Sequence, residues 1–318
     1  MALDKKSQML QAKALRALGT KTVDESVAKV RAIIGVDTIP NTQPLAQTAL
    51  KKMHEGEIPT SEELTALEIV VRLMRPVVLS HNCSLDDLPD TAGHNLHPQE
   101  LKDAWGQFRQ RIQPVVCSIG RVELNNGTHV GTGFLVADTW LATNRHVLGA
   151  MTYGSEKLSA NGARVVFKGE AGLNDKPADI VSIRGVVTIH ATLDVVLLEV
   201  EKQDRPVVKF EPNSVAEGAR VVVIGYPAED RRNNPIFLDG VFSGNFGKKR
   251  AALGEILDGT QSPALFHDCS TTQGNSGSPI FSLNTGLAAG IHRAGFFMYR
   301  NEGIDADALR SFIANPNS

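Results

Sequence analysis

Three short segments of the sequence carry residue types that could perform nucleophilic catalysis. His146 follows an apolar run, Asp194 enters an almost wholly apolar segment, and Ser276 lies between Gly274 and Gly277. A histidine at a strand end can act as a general base, an aspartate can orient its imidazole, and a serine hydroxyl can be the nucleophile. Taken singly, each residue more often has a structural role. Together, a base, a carboxylate that orients it and a nucleophile would suffice for acyl transfer.

The glycines around Ser276 make this segment the most specific of the three. They permit a tight turn from which the serine hydroxyl projects. In such a turn the N–H groups of Gly274 and Ser276 can converge on one point, as the binding of a tetrahedral oxyanion requires. An ordinary surface turn would not explain the apolar strand pattern that begins directly afterwards at Pro279.

Two aspartates could orient the imidazole of His146. Asp194 lies in the segment LDVVLLEV, and Asp179 has similar surroundings in ADIV. A carboxylate within an apolar segment needs hydrogen-bond donors, and an imidazole N–H is a suitable one. We expect Asp194 to take this role and keep Asp179 as the competitor.

The segments around these residues have the pattern of an all-β region. After residue 113, β-branched runs alternate with Gly, Asn, Asp and Pro, which predicts closed or sandwiched antiparallel sheets. The predicted strands are 115–124, 129–137, 140–143, 164–168, 180–189, 194–201, 220–224, 264–267, 279–282 and 287–292. Helical spacing returns only at 305–315.

The chain before residue 113 has apolar residues at helical spacing instead. Helices are predicted at 5–18, 23–34, 44–54, 61–74 and 98–113. Thr22 with Glu25, and Thr60 with Glu63, have the spacing of capping boxes, and Pro76 and Pro114 are expected to follow helix ends. The sequence therefore predicts a helical domain at 1–112 and a β domain at 113–318.

The β region resembles a known family. The segments GTGFLV, TNRHV, LDVVLLEV and GNSGSPIF, in this order, are similar to those of chymotrypsin-fold serine endopeptidases, in the bacterial branch that holds the glutamyl endopeptidases and HtrA/Deg proteases. The resemblance covers about residues 113–315. It implies a double antiparallel β-barrel with His146 as general base, Asp194 as its orienting partner and Ser276 as nucleophile. The rival interpretation is a pseudoprotease or scaffold that binds an extended peptide by strand addition.

The same resemblance extends to substrate preference. Glutamyl endopeptidases hold the P1 side chain with a Thr and a His that match Thr271 and His292, while Ser270 stands where a trypsin-like pocket has its acid. The resemblance thus implies Glu or Asp at P1, although a pocket of another specificity stays open. Those enzymes also use the free amine of their processed amino terminus, which is positively charged. In this chain Arg293 could replace that charge, or it could face solvent.

Composition limits the remaining possibilities. The 318 residues include 42% hydrophobic and 21% charged residues, with a net charge of −2, which is typical of a globular protein and unlike a nucleic-acid-binding one. No apolar run is long enough for a membrane span, and the amino terminus lacks the apolar core of a signal peptide. We expect a cytoplasmic enzyme without metal or cofactor whose three separated cysteines are plain thiols.

Two features have no single interpretation. The helical domain could support the barrels, dock a protein partner, or cover and regulate the active site. The basic triplet Lys248–Arg250, in a segment without strand pattern, could be a solvated loop, a cleavage site or a contact site.

Overall fold

The computed structural model describes most of the chain. The described residues are 5–20, 22, 24–25, 42–75, 77–89, 97–159, 162–170, 172, 179–230, 238, 241–242, 244, 246–295 and 300–316. The chain divides into two compact units, one of residues 1–76, 88–103 and 231–244, the other of residues 77–87, 104–230 and 245–318. We describe each unit by itself.

The first unit is helical in its described residues. It contains α1 (Lys5–Leu18), α2 (Thr42–His54), α3 (Ser61–Leu73) and the start of α4 (Gln99–Val116). The first three of these helices bury a shared apolar core, which is why their sequences show helical spacing. None of the helices in the described part of the chain is long and apolar enough to cross a membrane.

Helix α3 begins with the capping box predicted at Thr60 and Glu63. Its side chain accepts from the Glu63 N–H, and the Glu63 carboxylate accepts from the Thr60 N–H, so a full capping box starts α3. The box at Thr22 and Glu25 also forms, but the rest of the predicted 23–34 helix lies outside the described residues. Pro114 does not end α4, because a proline near a helix end removes only one backbone hydrogen bond.

The second unit contains a first closed antiparallel barrel. Its strands are β3 (Ile119–Leu124), β4 (His129–Ala137), β5 (Trp140–Thr143), β6 (Ala163–Val166), β7 (Ile180–Ile189) and β8 (Val196–Val200), joined in the order β3-β4-β5-β8-β7-β6. Alternating residues fill its interior with Val, Leu, Ile and Phe side chains. The short helix α5 (Arg145–Met151) follows β5 and carries His146.

A second antiparallel barrel is built from the following strands. They are β9 (Arg220–Gly225), β10 (Arg250–Asp258), β11 (Ala264–His267), β12 (Pro279–Ser282), β13 (Ala288–Gly295) and β14 (Asn301–Asp305). Helix α6 (Ala306–Ala314) follows β14. The sheet runs β11-β14-β13-β12-β9-β10, and pairing of β10 with β11 closes it. The predicted double antiparallel β-barrel preceded by helices is confirmed.

A hairpin from the amino-terminal half belongs to the barrel unit. Its strands β1 (Val77–His81) and β2 (Ser84–Leu85) extend the second sheet, because β1 pairs with β10. The sequence does not predict this hairpin within the 1–112 helical domain. Two residues at its turn, Asn82 and Cys83, have positive φ values of 49° and 64°.

The cysteine prediction is wrong for two of the three residues. Cys83 and Cys117 form a disulfide with their Cα atoms 5.1 Å apart, although 34 residues separate them in sequence. Their spacing does not reveal the pairing because only the fold brings the hairpin turn to the end of α4. Cys269 is a buried free thiol. Disulfides are uncommon in reducing compartments, so this pairing stands against the expected cytoplasmic location.

The basic triplet is not a solvated loop. Lys249 is fully buried, and its ammonium group donates to the carbonyl oxygens of Val116 at 2.9 Å and Phe167 at 2.7 Å, with Glu170 at 3.5 Å. Burial lowers the pKa of Lys249 to about 8. Arg250, also buried, begins β10. The interpretation as an exposed contact or cleavage site is therefore wrong for Lys249 and Arg250, because both side chains are buried.

Candidate active site

His146 and Asp194 are joined by two hydrogen bonds. The imidazole Nδ1 lies 2.7 Å from Asp194 Oδ2, and the backbone N–H of His146 donates to Asp194 Oδ1 at 2.9 Å. A carboxylate only accepts, so the ring proton is on Nδ1 and Nε2 is left with its lone pair. This tautomer is the one that a general base needs.

Two side chains hold Asp194 in place. The Asn144 amide, at the cap of α5, donates to the Asp194 carbonyl oxygen at 2.8 Å. In the turn before Asp194, the ring of His190 accepts from the N–H groups of Thr192 and Leu193 at 3.2 and 3.0 Å. Asp194 thus lies in a turn just ahead of β8 rather than in the strand itself.

The competing aspartate has a different partner. Asp179 is buried, and its Oδ1 accepts from the guanidinium of Arg205 at 3.3 Å. Of the two aspartates, Asp194 is the one in contact with His146.

The loop around Ser276 depends on its glycines. Gly274 and Gly277 both have φ of 87°, in the region that favours glycine. A Cβ on Gly277 would lie 2.0 Å from the Thr132 carbonyl oxygen, and one on Gly274 would lie 2.4 Å from the Tyr226 carbonyl oxygen. Only glycine fits at either position, which explains the spacing seen in the sequence.

Thr132 ties the Ser276 loop to the first barrel. Its hydroxyl donates to the Gly274 carbonyl oxygen at 2.7 Å, and its N–H donates to the Ser276 carbonyl oxygen at 2.8 Å. The Thr132 carbonyl in turn accepts from the Thr143 hydroxyl at 2.7 Å. Thr132 is fully buried. The sequence contains no signal for this role beyond the GTG segment itself.

His129 also lies against this loop. A Cβ on Gly274 would meet the His129 ring at 2.4 Å, and the ring Nε2 lies 3.1 Å from the Gly131 carbonyl oxygen. Burial, reinforced by the charge of Arg121, lowers the pKa of His129 to about 4. The ring is therefore neutral near pH 7 and acts in packing and hydrogen bonding.

The two expected oxyanion donors are backbone N–H groups of the Ser276 loop. Among the backbone hydrogen bonds of the described residues, neither the Gly274 nor the Ser276 N–H is a donor. The preceding peptide is fixed, because the Gln273 carbonyl accepts from the Ala228 N–H at 2.6 Å. Both N–H groups thus remain available for a ligand.

The hydroxyl of Ser276 points towards β13. It donates to the Arg293 carbonyl oxygen at 3.3 Å, and within the described residues no hydrogen bond joins it to His146. Nucleophile and base are often not in contact in ligand-free proteases.

Of the residues expected to bind P1, His292 and Arg293 lie on β13, whereas Thr271 lies in the segment that precedes Ser276. His292 is buried on β13, where its backbone exchanges hydrogen bonds with Gly277 and Ser278 at 2.9 and 2.8 Å. Thr271 is buried and donates to Asn301 at 3.0 Å. The Arg293 guanidinium, partly exposed, pairs with Glu302 at 3.3 Å.

A second histidine, which the sequence does not single out, contacts His292. The His267 Nε2 lies 3.1 Å from the His292 Nδ1, and the His267 Nδ1 accepts from the Cys269 N–H at 3.3 Å. Because His267 accepts at Nδ1, its proton is on Nε2 and points to His292, whose own proton must then be on Nε2. Burial, with further contributions from the charges of His267 and His146, lowers the pKa of His292 well below 6.5.

No cluster of His, Cys, Asp and Glu that could hold a metal ion occurs in the described parts of the chain.

Comparison with known proteins identifies the family. Residues 131–291, half of the chain, match the family of the trypsin-like peptidase domain. The chain belongs to this family, and it is a serine endopeptidase. No curated protein matches the sequence significantly.

Solved structures with a similar fold include two bacterial proteases. The active form of the Rv3671c protease from M. tuberculosis is 21% identical, with 65% of this chain and 84% of that chain covered and a TM-score of 0.45. The serine endoprotease from Yersinia pestis is 19% identical, with 66% and 65% covered and a TM-score of 0.47.

Proposed function

We propose that the chain cleaves protein substrates through Ser276, His146 and Asp194 with an acyl-enzyme intermediate. The His146 Nε2 takes the proton of the Ser276 hydroxyl as its oxygen attacks the scissile carbonyl carbon. The tetrahedral oxyanion is bound by the N–H groups of Gly274 and Ser276. His146 then gives the proton to the leaving amine, and water releases the acyl group by the same steps. The observation that carries this proposal is the double hydrogen bond between Asp194 and His146.

The resemblance to glutamyl endopeptidases further predicts the P1 side chain. In that interpretation Thr271 and His292 hydrogen-bond a substrate carboxylate, and the P1 residue is Glu or Asp. The tautomer of His292 supports the part that concerns the histidine, because its Nε2–H is a donor. Placement of the chain in the bacterial branch that holds the glutamyl endopeptidases and HtrA/Deg proteases is also a proposal, and it rests on the segments GTGFLV, TNRHV, LDVVLLEV and GNSGSPIF.

We also propose that the amino-terminal helical region, 1–112 in the sequence division, governs activity. An unrestrained endopeptidase would damage the cell that makes it, so we expect the full chain to be weakly active. A structural support and a docking surface for a protein partner are the other roles that its amphipathic helices allow.

Covalent labelling tests the catalytic proposal. An activated serine attacks a fluorophosphonate as it attacks a carbonyl, so the wild type should be labelled at Ser276. Ser276→Ala should not be labelled. Ser278→Ala is the matched control, because the Ser278 hydroxyl is buried without a hydrogen-bond partner in the described structure, and it should label like the wild type.

Equal labelling of Ser276→Ala and wild type would contradict the proposal. Absence of labelling in the wild-type chain, with peptides still bound, would favour the peptide-binding pseudoprotease instead. If Ser276 is labelled in the wild type only, proteome-wide mapping of new amino termini would identify the substrates. The comparison is between cells that express wild type and cells that express Ser276→Ala.

A further inference from the structure

Asn301 fixes the direction in which the Thr271 hydroxyl bonds. One end of the Asn301 amide lies 2.6 Å from the carbonyl oxygen of Cys269, which can only accept, so this end is the NH₂ group. The other end is then the amide oxygen, and it lies 3.0 Å from the Thr271 hydroxyl. The hydroxyl must donate its single proton to Asn301. What Thr271 can offer a substrate is a pair of acceptor lone pairs.

Asn301 is held firmly in this orientation. It lies on β14, paired with His267 on β11 and with Gly295 on β13, and is 1% exposed. A Cβ on Gly295 would lie 2.0 Å from the Asn301 amide oxygen, so the side chain occupies the space that Gly295 leaves open. Reversing the amide would bring two acceptors together at Cys269 in a buried site, which is strongly unfavourable.

His292 offers the opposite hydrogen-bonding character. The chain of hydrogen bonds from the Cys269 N–H through His267 leaves the His292 proton on Nε2, as derived above. His292 is therefore a neutral donor. A pocket lined by Thr271 and His292 would thus combine one donor with one acceptor.

Among the described residues of β13, neither basic side chain offers a free positive charge to a substrate carboxylate. His292 is buried with a pKa well below its usual value, and the Arg293 guanidinium is paired with Glu302. Ser270, which directly precedes Thr271, is uncharged and buried. A carboxylate would be placed with one donor on one oxygen and the lone pairs of Thr271 against the other, without a counter-charge.

We propose that the S1 pocket selects a neutral carboxamide, so that Gln is preferred over Glu at P1. The amide oxygen of Gln accepts from the His292 Nε2–H, and its NH₂ group donates to the Thr271 hydroxyl oxygen. Glu has the same shape but replaces this NH₂ donor with a charged acceptor. The proposal rests on the proposed function, because it needs Thr271 and His292 to line the pocket beside Ser276. It replaces the acidic P1 residue that the resemblance implies.

Pairs of peptides that differ only at P1 test the proposal. The full chain is incubated with matched peptides that carry Gln, Glu, Asn, Asp or Ala at P1, and kcat/KM is measured for each at pH 7.5. We expect Gln to exceed Glu by roughly tenfold or more, since a site that pairs a substrate N–H rejects an analogue that lacks it. Glu cleaved as fast as Gln or faster, or Ala preferred to both, would overturn the proposal.

Variants of Thr271 separate its role from general damage. Thr271→Val keeps the shape but removes the acceptor, so the Gln-to-Glu ratio of kcat/KM should fall towards one. Thr271→Ser should retain the ratio. Because the ratio is taken within one variant, a uniform loss of activity cancels. An unchanged ratio in Thr271→Val would overturn the assignment.

The same assay distinguishes this proposal from the one on which it rests. If Ser276 is labelled by the fluorophosphonate and peptides are cut without preference for Gln, only the S1 proposal fails. If Ser276 is not labelled and no peptide is cut, the catalytic proposal fails, and the S1 proposal fails with it.

Discussion

The hydroxyl of Thr132 donates a hydrogen bond to the carbonyl oxygen of Gly274 at 2.7 Å, and this contact joins the first barrel to the loop that precedes Ser276. Thr132 is fully buried, and Gly274 is half-buried. The position of this loop therefore depends on β4, a strand that contributes none of the three proposed catalytic residues.

Removal of this hydroxyl should impair catalysis more than substrate binding. In Thr132→Val the Gly274 carbonyl loses its donor, which costs about 1–3 kcal/mol and loosens the peptide that presents the oxyanion donors. We expect kcat to fall roughly tenfold or more with little change in KM. Thr132→Ser, which keeps the hydroxyl, is the control. Equal kcat in Thr132→Val and wild type would show that the contact is not needed.

Substitution of the two aspartates should give opposite results. Asp194→Asn should fold normally and lower kcat by about 10⁴, because an amide NH₂ would favour the wrong tautomer of His146. Asp179→Asn should keep catalysis, because Asp179 pairs with Arg205. Steady-state kinetics on both variants decides the matter. Loss in Asp179→Asn with full activity in Asp194→Asn would move the catalytic role to Asp179.

The helical region can be tested by truncation at a position that only the structure reveals. A chain that starts near residue 110 would lose the hairpin of residues 77–87, which pairs with β10 and carries Cys83. A chain that starts at Val77 keeps it. If the helical region restrains activity, the chain that starts at Val77 should hydrolyse peptides at least about tenfold faster than the full chain. This ratio is equivalent to about 1.4 kcal/mol of coupling. Equal rates would leave the region as a support or docking surface.

The disulfide predicts a specific count of reactive thiols. After denaturation without reductant, a maleimide should label only Cys269, and after reduction it should label all three cysteines. Cys83→Ser should lower the free energy of unfolding by about 2–4 kcal/mol, the range for loss of such a crosslink. Labelling of three cysteines before reduction would show that the thiols are free, as expected in a reducing cytoplasm.

Stability should rise with pH above neutrality because of Lys249. Burial lowers its pKa to about 8, whereas an unfolded lysine titrates near 10.4. Between these pH values the unfolded protein binds the additional proton, so the free energy of unfolding increases by about 1.4 kcal/mol per pH unit. Lys249→Met should lack this increase. Urea unfolding of both proteins at pH 8, 9 and 10 measures the difference, and parallel curves would rule it out.

Local pattern accounts for much of the fold. Five predicted strand ranges, among them 129–137 and 180–189, agree with the structure at both ends because β-branched runs there are bounded by turn residues. The strands β10 and β14 were not predictable in this way. The first begins within the basic triplet, and the second, NEGID, has a single large apolar residue, so neither shows the usual alternation.

The sequence by itself determined the family and the residue types of the site, because His146, Asp194, Ser276 and the glycines near it carry chemistry that depends on residue identity and order. Only the tertiary structure showed that Asp194 and not Asp179 contacts His146, paired Cys83 with Cys117, and buried Lys249. It also set the directions of the hydrogen bonds at Thr271 and His292 through Asn301 and His267. Such outcomes depend on atoms that are distant in sequence and close in space, and a pattern of residues along the chain contains no record of that proximity.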